Sequence, residues 1–348
     1  MGVNLREDWE ILEYKILSPR AAKSDKAERL LPEENCPLRT AFQRDRDRII
    51  HSKSFRRLIH KTQVFLSPEG DHYRTRLTHT LEVMQISRTI SRCLKLNEDL
   101  TEAISLGHDL GHPPFGHAGE EALNEAVNLR TGGSFKHYEQ SLRVVDFIER
   151  RFSQEGKLLI GLNLTNETRD GILNHAKGLG SLEGYGKAKT LEGEVVKYSD
   201  VIAYVNHDLD DAIRASIIYE ENIPAVVTQV LGSSTTVRIK SFVEELVKYY
   251  QDKNELGFSP SVNQALHQLR EFLKNNLYLR VSPAKSEEGK ARKLIINLYD
   301  YLMENNDFPS LKTENKNQAV VDYLSGMTDR FALSFYEKHF LPSPFGLD

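Results

Sequence analysis

The stretch ISLGHDLGHPPFGHAGEEAL, Ile104 to Leu123, holds three histidines, four glycines, two adjacent prolines and three acidic residues in one apolar frame. Gly and Pro are the poorest helix formers, about 1 and 3 kcal/mol worse than Ala. A helix selected for packing alone does not account for such a mixture. The run DLTEAISLG reads as a helix that ends at His108-Asp109. The glycines and prolines read as a turn, and a new helical stripe runs from Glu120 to Leu129. The stretch therefore reads as a site built between two helices.

Working outward, the same three-and-four spacing of apolar residues recurs at Leu77, Leu81, Met84, Ile86, Ile90, Cys93 and Leu94, the mark of a one-faced helix. Further stripes cover 139–151, 192–219, 235–250, 262–275, 288–304 and 319–338, whereas alternating strand patterns are scarce. The expectation is a mostly α protein, with loops at GKLLIGLNLTNETRDG, at Ala176 to Thr190 and at NELGFSPS. The Gly- and Lys-rich loop from Ala176 to Thr190 is expected beside the site, ordering when a nucleotide binds. With 348 residues and 39 % hydrophobic content, the chain can bury a large core.

No run of about 18 apolar residues and no leader is readable, so the expectation is a cytoplasmic protein with no membrane partner. Cys36 and Cys93 have no metal-like spacing and read as free thiols. The net charge of −4 argues against a generally basic nucleic-acid binder. From Arg39 to Arg76, however, ten Lys or Arg face four Asp or Glu, a local excess that could meet an anion. GYGKAK lacks the glycine spacing and the hydroxyl residue of a phosphate-binding P-loop.

His79 sits on the first helical stripe and His108-Asp109 at the end of the next. Imidazole nitrogen and carboxylate oxygen suit a divalent metal such as Mg, Mn, Co, Ni, Fe or Zn. Adjacent side chains on one helix diverge by about 100°, so the backbone must unwind at Gly107 or Gly111 for both to touch one ion. EGEVVKYSDVIAYVNHDLDDAIRA offers Asp200, Tyr204 and Asp208 along one face of an apolar helix. A buried carboxylate there is costly unless a cation meets it.

These residues, with RTAFQRDRDRIIHSKSFRRLIHKTQVF, YRTRLTHTLEVMQISRTI, FKHYEQSLRVV, DGILNHAK and DYLSGMTDRFA in that order, resemble the HD-domain deoxynucleoside triphosphate triphosphohydrolases, the bacterial dGTPase-like proteins in particular. The resemblance runs from Leu38 to Phe340. It implies an HD-domain helical fold with additional C-terminal helices, divided into an N-terminal arm (1–38), a metal-dependent phosphohydrolase core (39–220) and a C-terminal helical region packed on that core (221–348). It implies metal ligands His79, His108, Asp109 and Asp200. It also implies a catalytic His117 paired with Glu120, and substrate contacts from Arg76, His112, His137, Tyr204 and Asp208. The implied reaction converts a dNTP to deoxynucleoside and inorganic tripolyphosphate, with water activated at the metal attacking the α-phosphorus. An oligomer, often a hexamer, is implied as well.

The residue types fit this chemistry independently, since phosphoryl chemistry needs charge neutralisation and a group to protonate the leaving oxygen. The basic residues of DRDR and KSFRR could reach the outer phosphates or bind a regulatory nucleotide between subunits, but for any single one an ordinary salt bridge is favoured. His175 and His207 read as structural or as neighbours of the ligands. Two rivals remain: an HD-fold phosphohydrolase acting on another nucleotide, and a non-catalytic binder of nucleotide or single-stranded nucleic acid. The intact set of His79, His108, Asp109, His117 and Asp200 argues against the second, because binding alone needs no metal-plus-acid arrangement.

Overall fold

The computed structural model describes residues 5–63, 74–153, 155–176, 187–278, 283–306, 308–309 and 315–342. In chain order the helices are α1 (Leu5–Ile16), α2 (Ala41–Ile50), α3 (Lys53–Arg57), α4 (Arg76–Cys93), α5 (Glu98–Gly107), α6 (Gly116–Thr131) and α7 (His137–Arg143). A two-stranded antiparallel hairpin follows, β1 (Arg150–Phe152) and β2 (Leu158–Ile160), paired Arg150 to Ile160 and Phe152 to Leu158. The chain continues with α8 (Asn166–Asn174), α9 (Leu191–Arg214), α10 (Ala225–Leu231), α11 (Thr235–Lys253), α12 (Pro260–Leu273), α13 (Pro283–Glu304), α14 (Lys316–Ser325) and α15 (Asp329–Phe340). The architecture is mostly α. Among the described residues no helix is long and apolar enough to cross a membrane.

Helix α4 starts at Thr75, whose hydroxyl accepts from the Thr78 amide while the Thr78 hydroxyl accepts from that of Thr75, satisfying donors that a bare helix end leaves open. Its buried face runs His79, Val83, Ile86, Ile90. The candidate ligand thus continues the apolar stripe that packs on α5 and α9. Each of those aliphatic side chains contributes about 1.5–3 kcal/mol by leaving water. Helix α9 is buried on nearly every side, from Glu192 to Ala212, and sits centrally against α4, α5, α8, α11 and α12. Helix α6 turns its other face to the C-terminal helices, with Leu123 and Val127 in one cluster with Leu294, Ile295 and Leu298.

Several elements differ from the sequence expectation. The stripe over 139–151 is α7, a π-helical turn over Val144–Ile148 and then strand β1. The segment GKLLIGLNLTNETRDG, expected as a loop, holds β2 and the start of α8. The stripe over 319–338 is two helices, broken between Ser325 and Asp329. The arm 1–38 contains α1, whose Glu13 is buried and accepts from Ser24 and Asn97. Of the expected nucleotide-ordered loop, residues 177–186 lie outside the described residues.

The local basic excess is largely neutralised. Arg44 and Arg48 pair with Glu33, Arg46 with Asp47 and Asp99, Arg39 with Asp47, and Arg74 with Glu82, Asp210 and Asp211. The salt-bridge reading holds for Arg39, Arg44, Arg46 and Arg48, whereas Lys53, Arg56 and Arg57 of KSFRR form no ion pair among the described residues.

Candidate metal and phosphate site

Helix α5 ends at Gly107, and His108 and Asp109 leave its last turn. His108 Nδ1 lies 2.6 Å from the Ser105 carbonyl, which can only accept, so Nδ1 carries the proton and Nε2 keeps a lone pair. That Nε2 is buried with no hydrogen-bond partner among the described residues. An orphaned, correctly tautomeric imidazole nitrogen is the usual state of a metal ligand whose orientation is fixed from behind.

Around it stand His79 Nε2, 3.1 Å from Asp200 Oδ1, and Asp109 Oδ1, 3.7 Å from His108 Nε2, with Asp200 Oδ1 3.9 Å from that same nitrogen. Ligand atoms of His79, His108 and Asp200 lie within 4.8 Å of one another, as do those of His108, Asp109 and His175, and those of Asp109, His112 and His137. Ligand atoms about 2.0–2.2 Å from a shared ion stand at comparable separations. The four residues expected as ligands are brought together, and their donor set fits a divalent cation.

Gly111 lets the turn lie directly on α7. A Cβ there would come 2.2 Å from the Ser141 nitrogen and 2.5 Å from the His137 carbonyl oxygen. Ser141 secures the contact, accepting from the Gly111 amide at 2.9 Å and donating to the His108 carbonyl at 2.7 Å. The approach stacks His112 on His137, with ring centres 4.0 Å apart. Phe115 then adopts the left-handed conformation (φ 68°) and Gly116 repeats it (φ 59°), which turns the chain sharply into α6, the helix that carries His117 and Glu120.

The electrostatics follow from burial among close charges. Burial disfavours an ionised Asp109, but the Arg76 guanidinium, 2.6 Å away, and the adjacent imidazoles hold its carboxyl well below the usual range. Asp200 is likewise opposed by burial and lowered to about 2, chiefly by its His79 hydrogen bond. Burial pushes His112 far down and His175 to about 3, leaving both neutral. His117 is lowered by burial and by Arg76, against the pull of Glu120. His137 is raised: burial opposes its charge, but Glu120 outweighs it.

Glu120 interacts with both His117 and His137. Its Oε1 accepts from both the backbone N–H and Nδ1 of His137, at 3.0 and 2.8 Å. Those bonds and the His137 charge overcome burial and lower its carboxyl to about 2. Toward His117 it acts as a nearby negative charge.

Arg76, His79, Asp109, His112, His117, His137, Asp200 and Tyr204 all line one cavity. Asp208 does not; it is buried one turn past Tyr204, whose phenol is raised to about 12 by burial and by the Asp208 charge. Gln63, Ala176, Val201 and Arg270 complete the wall, and no spacing or motif singles out Gln63 or Arg270 in the sequence. His175 belongs to the cluster more closely than expected. Like His108 it directly follows a helix, and its Nδ1 stands 2.6 Å from the carbonyl three residues back, Ile172. That shared position was the available signal. His207 stands edge-on behind His79, 5.8 Å between ring centres, with Nδ1 3.0 Å from Glu82. A larger cavity of about 390 Å³ between α3 and α14 contains none of the metal-ligating groups.

The chain is similar to known proteins over nearly its full length. Residues 76–205 match the HD domain family and residues 256–338 the phosphohydrolase-associated domain. The chain is 52 % identical to a deoxyguanosinetriphosphate triphosphohydrolase-like protein of Caldanaerobacter subterraneus, over 98 % of this chain and 97 % of that one. It is 46 % identical to one of the same description from Desulfatibacillum aliphaticivorans, over 98 % and 99 %. A crystal structure of a hypothetical protein from Aquifex aeolicus aligns at 20 % identity with a TM-score of 0.44, covering 85 % of this chain and 71 % of that one. On the full-length identities and the two domain matches, the chain belongs to the HD-domain phosphohydrolases, in the family of deoxyguanosinetriphosphate triphosphohydrolase-like proteins.

Proposed function

We propose that the protein hydrolyses deoxynucleoside triphosphates to deoxynucleoside and inorganic tripolyphosphate. The observation that carries this reading is one cavity lined by His79, Asp109 and Asp200, with the orphaned Nε2 of His108 beside them, together with Arg76, His112, His117 and His137. A divalent cation held by the four ligands supplies neutralisation of phosphate charge and activation of water. Arg76, already tied to Asp109, presents its remaining N–H groups to a phosphate oxygen beside the ligands. His112 and His137, stacked, form an imidazole wall for the same group.

His117 is neutral in the free protein, since burial and Arg76 both oppose its charge. A triphosphate beside it works the other way, favouring the imidazolium that can protonate the departing 5′ oxygen. Glu120 holds His137 by two hydrogen bonds and adds negative charge near His117, so it supports both imidazoles.

The test is incubation of the purified protein with each dNTP, singly and mixed, with Mg, Mn or Co, and resolution of the products. The expected products are deoxynucleoside and tripolyphosphate in equal amounts; chelation stops turnover and metal restores it. Release of pyrophosphate or orthophosphate as the first product would place the attack at another bond and overturn the reading.

A further inference from the structure

The turn that aims His117 is held by a residue more than two hundred positions downstream. Asp329, the first residue of α15, is 8 % exposed. Its Oδ1 accepts from the Phe115 backbone N–H at 3.0 Å. Its Oδ2 accepts from the Thr62 N–H at 2.9 Å and from the Thr62 hydroxyl. Thr62 forms a backbone bridge with Thr75, the cap of α4, and the Arg76 N–H donates to the Lys61 carbonyl at 3.1 Å. One carboxylate thus ties together the chain at the start of α4, which bears Arg76 and His79, and the chain at the start of α6, which bears His117.

Two features make the tie more than ordinary packing. Phe115 is a non-glycine residue in the left-handed region, a conformation that costs roughly 1–3 kcal/mol and persists only where surroundings fix it. It is also the N-cap of α6 and supplies no side-chain hydrogen bond to the helix start. The prolines and the left-handed Gly116 shape the turn locally, and the Phe115 ring, buried in the cluster with Leu123 and Leu298, and the Asp329 carboxylate hold it from outside. Lys61 runs a parallel link, its Nζ donating to the His112 carbonyl and to that of Ser325.

We propose that Asp329 is a positioning residue for the reaction, fixing the left-handed turn at Phe115 and thereby the place of His117 in the cavity it shares with His79, Asp109 and Asp200. The inference rests on the dNTP hydrolysis reading above. Asp329 touches no reacting atom and acts through His117.

The experiment is a double-mutant cycle on the full chain: wild type, Asp329→Ala, His117→Ala and the double variant. Each is assayed for dNTP turnover, bound metal and thermal unfolding. Asp329→Ala is expected to lower kcat by about 10- to 100-fold, the scale of a misplacement near 1 Å, with KM within about threefold and metal content unchanged. In the His117→Ala background the same change should cost less than about threefold, because there is no imidazole left to misplace. Asp329→Asn keeps an acceptor for Phe115 but loses one for Thr62; it should show a smaller loss, about 3- to 10-fold, that likewise vanishes without His117. It replaces the alanine variant if that variant does not fold.

Equal losses in both backgrounds would mean a general structural role and overturn the inference, as would unchanged kcat or loss of metal in Asp329→Ala. Absence of dNTP turnover in the wild type would instead overturn the reading of the substrate, so the two failures are distinct.

Discussion

Lys61 is a lysine buried to 2 % exposure whose ammonium faces two carbonyls, those of His112 and Ser325. Burial lowers it from 10.5 to about 7, helped by Arg76 and opposed by Asp329. A neutral amine has two N–H groups, matching the two acceptors. Between about pH 7 and 10.5 the unfolded chain carries a proton that the folded chain lacks, so stability rises with pH across that window; below it the cost of the buried charge remains in full. Lys61→Met keeps the length and removes the titration. Measured by urea midpoint, wild type should gain on Lys61→Met as pH rises from 7 to 10. Parallel curves would mean that the amine is not depressed. The four candidate ligands, His79, His108, Asp109 and Asp200, were singled out in the sequence through the family resemblance, supported by ligand-type side chains set in apolar frames. The Glu120 bond to His137, and the place of Arg270, were not, since they depend on how α6, α7, α9 and α12 meet.

Two glycines separate local from tertiary requirement at the scale of elements. Gly289, in α13, has nothing within 4 Å of an added Cβ, so Gly289→Ala should stabilise by about 0.5–1 kcal/mol through helix propensity. Gly111→Ala drives a methyl into the backbone of α7. It should cost about 1–3 kcal/mol as overpacking and reduce turnover by moving His137 from its place beside His112. Chemical denaturation of both variants checks the opposite signs; a neutral Gly111→Ala would mean that α7 yields freely. Periodicity located α4, α9, α11 and α12 well, because each buries an apolar stripe. It failed at α1, where Glu10 and Glu13 are buried while Leu5, Trp9 and Ile16 are exposed, an inverted helix that no hydrophobic pattern announces. It also merged α14 with α15, since the break at Gly326-Met327-Thr328 preserves the apolar spacing.

For the whole molecule, the helices beyond residue 220 share packing with those before it. Helix α6 covers its apolar face with α13, α14 and α15, and α9 is enclosed partly by α11 and α12. A chain stopped after Ile223 would leave Ala122, Leu123, Ala126 and Val127 uncovered. It should show no cooperative melting and should bind a hydrophobic dye, the behaviour of a collapsed chain without fixed packing. A sharp unfolding transition from that fragment would make the core independent after all.

The hydrogen bond from Phe115 to Asp329 spans 214 positions. At about 5–20 residues per second, a ribosome needs roughly 10 to 40 s to travel that far. His79, His108, Asp109 and Asp200 are all made well before Asp329. During synthesis the unfinished chain therefore holds its candidate cation ligands while the turn before His117 still lacks its bond to Asp329. On the proposed positioning role, a product that stops short of Asp329 lacks the tie at Phe115, so full reactivity would arrive as one of the last events in the making of the protein.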